Sequence, residues 1–283
     1  MRPPSHGFRA AAAAAGLLLA ALAGPAVVRS QTPGVRVALV NVPDEVLRPL
    51  LPEFQKQTGI RAEIVYTGQD PYGVAARGEA DLVISHYGHE GVEPFVTAGR
   101  GLWPRPVFAN QMALLGPPGD PARVRGLTDA AEAFRRIAAA KARFLVNGSA
   151  GARYLEQILW TGAGSPGKGD WYLDLKSEGP AAARAAADQG AYVLWGVPPF
   201  LRLKRQGPLN LEALVVGDPL FQRMMVSVVV NPAKIAGVNA DGAKVLEEYL
   251  LAPATQARIR AFRYPDFDQQ VWWPAGRHNS ARE

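Results

Sequence analysis

Val35-Arg36-Val37-Ala38-Leu39-Val40-Asn41-Val42-Pro43-Asp44-Glu45-Val46-Leu47 is the stretch that decides the fold. Val35 to Val40 is largely apolar and β-branched, as a buried parallel strand should be. Helix-start chemistry follows at once: Asn41 can cap, Pro43 is tolerated in a first turn, and Asp44 and Glu45 suit the positive dipole end. Val46, Leu47, Leu50, Leu51 and Phe54 recur at helical spacing, with a kink expected at Pro52 and a left-handed cap at Gly59. A strand running straight into a capped amphipathic helix opens a β–α unit.

The rest of the chain repeats that unit. Strands are expected at 62–66, 81–85, 112–115, 144–146, 191–195 and 225–230, with Val107-Phe108 a separate short apolar pair. Asp129 with Glu132 reads as a capping box for a helix reaching Ala142. Ser149 is expected to cap the helix holding Tyr154, Ile158 and Leu159, Gly190 to stop the Ala-rich helix 180–188, and Asn239 to cap a helix to Leu251. No fixed-period repeat is present, which excludes solenoids and propellers. The fold class is α/β: two lobes of mixed, mostly parallel sheet with flanking helices, facing each other across a hinged cleft. The lobe boundaries expected are 34–112 with 226–283 for lobe 1, and 113–225 for lobe 2.

Upstream, Arg2 and Arg9 precede an unbroken Ala, Gly and Leu run from Ala10 to Ala23, too short to span a bilayer as a helix. Small residues follow, so 1–26 reads as a cleaved signal peptide and the mature chain as periplasmic. No cysteine stands near the cleavage point to carry a lipid anchor. The whole chain has 283 residues and no cysteine, which excludes disulfide scaffolds, thiolate metal sites and thiol nucleophiles. A net charge of +6 is too modest to imply nucleic acid, and export makes such a partner less plausible still.

In open sheets the ligand lies beyond the carboxyl ends of strands, near helix N-termini. The polar residues at those places are Asn41, Thr67 and Gln69, Ser85, then Asn147, Gly148 and Ser149, with Trp195 able to stack on an organic ligand. Each also has a plain reading as turn or cap chemistry. As a set they offer amide, hydroxyl and N–H donors to a small polar solute or an anion. His86-Tyr87-Gly88-His89-Glu90 holds two imidazoles and a carboxylate, but no third separate ligand accompanies them, so no metal and no cofactor is expected. Ser149 lacks the flanking pattern of a nucleophile elbow, and no acid–base set assembles around it, so no catalytic residue is expected and the chain is not read as an enzyme. The basic run Arg202, Lys204, Arg205 reads most simply as a solvated face, with docking on a membrane permease the alternative.

Several strings in order carry a family resemblance. They include Leu50-Leu51-Pro52-Glu53-Phe54 with Thr58-Gly59, Thr67-Gly68-Gln69, Ala80-Asp81-Leu82-Val83 with His86, and Arg105-Pro106-Val107. Gly126-Leu127-Thr128-Asp129-Ala130, Gly169-Asp170-Trp171-Tyr172, Gly217-Asp218-Pro219-Leu220, Val230-Asn231-Pro232 and Gly237-Val238-Asn239-Ala240 continue the series. In this the chain resembles the periplasmic solute-binding proteins of tungstate-type ABC importers, within the type II periplasmic binding protein superfamily. The resemblance implies a hinged two-lobe fold, a small-molecule solute in the cleft and an ABC permease in the membrane as partner.

The departures from that family fall where the ligand should sit. The hydroxyl-rich end of the first strand is replaced by Leu39-Val40-Asn41-Val42. A family arginine is missing where Asn147 stands, and another near Val197; Arg153, one turn into the following helix, could partly replace the charge, and its swinging into the cleft is the alternative by which an anion site would be restored. A buried dianion without charged donors is poorly compensated. Two expectations follow: oxyanion affinity is weak, with an uncharged or organic solute preferred, or the protein is a ligand-diverged sensor or accessory binding protein acting through a membrane partner.

Overall fold

The computed structural model describes Met1 and residues 34–40, 43–264, 267–268 and 270–274. The signal-peptide reading at 1–26 and the cap at Asn41 lie outside the described residues. β1 (Val35–Leu39) forms as the apolar run requires, buried throughout except at half-exposed Arg36. The next helix is broken more thoroughly than one kink. α1 (Asp44–Leu47) passes through a 3-10 turn over Arg48–Leu50 into α2 (Leu51–Thr58). Pro49 and Pro52 lie at the starts of the last two segments, where a missing N–H is tolerated. All five apolar positions named for this helix are buried, and Gly59 closes it at φ 73°.

β2 (Ala62–Thr67), α3 (Pro71–Ala76), β3 (Leu82–His86) and α4 (Val92–Thr97) lead to β4 (Arg105–Gly116). Then come α5 (Ala130–Ala140), β5 (Phe144–Leu145), α6 (Ala150–Gly162), β6 (Tyr172–Leu173), α7 (Gly179–Gln189), β7 (Val193–Gly196), α8 (Val197–Arg205) and β8 (Glu212–Val215). β9 (Gln222–Val229), α9 (Ala240–Leu251), α10 (Pro253–Ala261) and β10 (Trp273–Pro274) complete the elements.

The architecture is mixed α/β. β2, β1 and β3 run parallel, as β–α units dictate. β9 then pairs antiparallel with both β3 and β4, so the sheet turns mixed at the two strands that cross the molecule. Val107-Phe108 and Met112–Leu115 are not separate strands. They are one twelve-residue strand, β4, because Ala109, Asn110 and Gln111 keep the ladder to β9 although two of them are polar. The first half of β4 carries β9 and β10; its second half carries β7 and β8. β5 and β6 form a small parallel pair beside this sheet.

The caps expected at Asp129, Ser149 and Asn239 form to different degrees. Asp129 accepts the Glu132 N–H at 3.0 Å, but the Glu132 carboxylate turns to Arg135 and Arg136 at 2.8 and 2.9 Å, so only half the capping box forms. Ser149 occupies the N-cap position of α6 without a side-chain cap bond. Asn239 caps α9 through Gly242 N–H at 3.0 Å. One core draws only on residues between Met112 and Phe221, and another only on Ala38–Phe95 with Val226–Ile235. A third runs through β1, β4, β7 and α9, ending on fully buried Trp272 edge-on to Phe108 at 5.4 Å. Among the described residues no helix is long and apolar enough to cross a membrane.

Candidate functional site

A cavity of about 440 Å³ opens where the carboxyl end of β3, the middle of β4 and the start of β9 meet the N-terminus of α6 and the end of β7. The sheet contributes its side chains by register. Arg223 lies opposite Asn110, and Met225, two residues on, lies opposite His86. Side chains two apart on a strand share a face, so Arg223, Asn110 and His86 come together as neighbours on one surface. Gln111 and Met112 extend it along β4, and Gln69, Gly88, His89 and Glu90 form the rim. Ser149 to Ala152 face them from α6, with Trp195, Gly196 and Pro199 at the side.

Arg223 is the charge in this wall. Its nearest polar partner is the Met112 sulfur at 3.5 Å, and among the described residues no carboxylate lies within salt-bridge distance of it. Burial pulls its pKa below the ordinary guanidinium value, yet arginine keeps its proton in proteins. The first turn of α6 adds N–H donors. Ala152 and Arg153 give theirs to the Ser149 carbonyl at 3.0 Å each, while the N–H groups of Ala150 and Gly151 are those a helix start leaves over. An unneutralised guanidinium beside a helix N-terminus is chemically an anion site.

Gly151 holds the two parts together. A Cβ there would stand 2.4 Å from Arg223 Nη1 and 2.9 Å from Nη2, so only glycine lets the guanidinium lie against the helix. Gly151→Ala should therefore displace Arg223 while α6 itself gains helix propensity. The expected result is an unchanged or higher melting midpoint with anion affinity about tenfold lower or more, the loss of one charge-assisted bond, read by calorimetry alongside thermal unfolding.

Of the residues singled out in the sequence, the structure brings Gln69, Ser149 and Trp195 to the cavity. Asn41 lies outside the described residues. Thr67 is exposed at the end of β2, away from the lining. Ser85 is fully buried behind the wall, its hydroxyl on Tyr72 Oη at 2.8 Å. Asn147 is structural: its Nδ2 donates to Leu194 O, and its Oδ1 accepts from Ser149 and Gly179 N–H. Gly148 gives its N–H to Ser177 O. Arg153 does not replace the missing arginine. It is held on the Asp174 carboxylate at 3.1 and 3.2 Å, where Lys176 and then Arg153 keep that acid at about 2. The arginine that does reach the cavity is Arg223 on β9, which sequence reasoning missed; the available signal was a lone arginine at the mouth of the apolar run Met225–Val230.

The two-histidine motif also separates. His86 reaches the cavity wall, while His89 is tied to Gln69 O and Gly91 N–H at 3.1 and 3.0 Å. Among the described residues no group of three or more His, Cys, Asp or Glu could hold a metal ion. A second cavity of similar volume lies between α8 and β8, but its Arg125 is neutralised by Glu212 at 2.7 Å.

Residues 35–264 match the family described as bacterial extracellular solute-binding protein. The chain belongs to that family. Among these solute-binding proteins it is similar to the tungstate-binding protein TupA of Peptoclostridium acidaminophilum, 31% identical over 229 residues, covering 80% of this chain and 79% of that one. Its fold is that of the tungstate-binding protein TupA from Desulfovibrio alaskensis G20, with a TM-score of 0.73 at 27% identity over 86% of this chain and 99% of that one. The tungstate ABC transporter structure from Geobacter sulfurreducens gives 0.67 at 25% identity, over 81% and 98%. The resemblance read from the motifs is thus a family membership, and the α/β fold is of the type II periplasmic binding protein kind.

Proposed function

We propose that this protein binds a tetrahedral oxyanion of the tungstate and molybdate class in the cavity around Arg223, and delivers it to an ABC permease in the membrane. One observation carries this reading: a guanidinium without a carboxylate, set against the first turn of α6. The expectation of an uncharged solute rested on a cleft without arginine, and Arg223 removes that ground. The names of the related proteins support the same ligand class. Arg223 would take two oxygens in its fork, with the Ala150 and Gly151 N–H groups, the Ser149 hydroxyl and the Gln69 amide serving the others.

The two lobes of the sequence reading, 34–112 with 226–283 and 113–225, fit two of the three cores, each drawing on one side only, while the third core and the long strands β4 and β9 run between them. The cavity is larger than a tetrahedral oxyanion, so hinge closure would bring the α6 donors onto a ligand held by the sheet. Export through the segment 1–26 to the periplasm agrees with a family described as extracellular.

Tungstate titration by calorimetry is the test. Saturable one-to-one binding is expected, and at about a hundred times Kd it should add about 2.7 kcal/mol to stability. Arg153→Ala should bind within about twofold of the parent, because Arg153 spends its charge on Asp174. No binding of tungstate or molybdate, with a sugar or amino acid raising the midpoint instead, overturns the reading.

A further inference from the structure

The cavity wall has one fixed cation but must hold an anion of the dianionic class if the reading above, on which this inference rests, is right. A dianion drawn out of water needs a second positive partner. Two imidazoles line the cavity, and their hydrogen bonds separate them. His89 Nδ1 accepts the Gly91 N–H at 3.0 Å, and its Nε2 faces the Gln69 carbonyl at 3.1 Å. A backbone N–H can only donate, so Nδ1 of His89 is engaged as an acceptor and its Nε2 is turned to the Gln69 carbonyl, which leaves neither nitrogen aimed at the ligand space. His86 carries no such lock. Its Nε2 meets only the Asn110 side-chain amide, at 3.4 Å, and that amide can turn to present either its nitrogen or its oxygen.

We propose that His86 is the second cationic donor of the site, taking up one proton from solution when a dianionic oxyanion enters and remaining neutral beside a monoanion. The proton comes from the buffer, no bond of the oxyanion breaks, and Arg223 with protonated His86 balances the two charges of the ligand. The groups facing His86 are consistent with this. Arg223 stands diagonally across on β9, uncharged Asn110 on β4, and His89 and exposed Glu90 in the loop that follows β3. Tyr72 on α3 touches Ser85 behind the ring, and burial pushes it up to about 12, so it stays neutral throughout.

The sign follows from the free and bound states. In the empty cleft, burial first and Arg223 second push His86 down to about 3, so it is neutral at ordinary pH. A dianion between the two cancels the repulsion and adds an attraction, raising the pKa of His86 in the complex. Binding then carries a proton at pH values between the free and bound pKa, and affinity weakens as pH rises through that window.

Calorimetry near pH 6, in two buffers of different ionisation enthalpy, reads the proton count directly. Tungstate should take up close to one proton, whereas perrhenate, the isosteric monoanion, should take up none. Tungstate affinity should fall by up to tenfold per pH unit above that point, with perrhenate flat. His86→Gln should remove the uptake and weaken tungstate more than perrhenate; His89→Gln should leave the uptake in place. Tungstate binding with no uptake in the parent, or uptake persisting in His86→Gln, overturns the role of His86 and leaves the oxyanion reading standing. Failure of both anions to bind overturns the oxyanion reading and this inference with it.

Discussion

Replacing Arg223 by methionine should remove tungstate binding while leaving the empty protein as stable as before, or more so. The guanidinium would give two charge-assisted hydrogen bonds to the ligand, worth about 1.5–3 kcal/mol each, so affinity should fall roughly 10²- to 10⁴-fold. The stability half of the expectation comes from the empty cleft. There the charge is part-buried with only the Met112 sulfur beside it, so its desolvation is not offset by any carboxylate. Methionine fills similar space without that penalty, and the apo midpoint should hold or rise by about 1 kcal/mol of stability. Arg223→Lys should fall between, because the ammonium keeps the charge but not the fork. Measured together, calorimetry and thermal unfolding separate loss of a binding group from misfolding. Tungstate affinity unchanged in Arg223→Met would move the anion site elsewhere.

Much of the fold was legible because its signals are local. The run from Val35 into the helix after Pro43, the αL glycines at Gly59 and Gly190, and the Asn239 cap all depend on neighbours in sequence. What escaped was what the ladder decides. Asn110 and Gln111 break the apolar pattern of β4, so the strand read as two pieces, and those same two residues line the cavity. Polar residues at the centre of a crossing strand look like an interruption until the register shows which face they share.

Of the candidate site, the sequence pointed to strand ends and helix starts more readily than to the groups that line the cavity. Strand ends and helix starts pointed to Gln69, Ser149 and Trp195, which do meet there. Polarity alone also nominated Asn147 and Ser85, whose side chains are consumed by the backbone turn and by Tyr72. Spacing offered Arg153 as the substitute arginine, but one turn into α6 its side chain reaches Asp174. Arg223 is 76 positions from Asn147 in sequence and reaches the same cavity only because β9 lies beside β4. A cavity arginine supplied by a different strand cannot be found by aligning the old position.

The largest expected effect on stability belongs to Asp81, far from the ligand. It is fully buried and accepts four hydrogen bonds: Arg36 Nη2 at 2.6 Å and Asn239 N–H at 2.8 Å on one oxygen, and Arg36 N–H at 2.7 Å and Nε at 3.1 Å on the other. One carboxylate thus ties β1 to the start of β3 and to the N-terminus of α9. Asp81→Asn puts an N–H₂ donor against donors and leaves the Arg36 guanidinium without its counter-charge. Breaking a buried pair from one side costs about 3–5 kcal/mol, and Arg36, with 32% of its side chain exposed, can rehydrate enough to favour the lower end. A loss of about 3 kcal/mol should show as a lower urea midpoint with an unchanged slope. Arg36→Met should cost a similar amount: it leaves the fully buried Asp81 charge without its guanidinium, softened only by the two backbone N–H groups that remain. The lesion should also stay local in function. Asp81 precedes Leu82 at the start of β3, whereas His86 ends that strand about 16 Å away at the usual rise per residue. Below its unfolding range Asp81→Asn should therefore bind tungstate within about twofold of the parent. A large affinity loss in the folded variant would mean that the β1–β3–α9 junction holds the cavity wall in place, which its distance from Arg223 and His86 argues against.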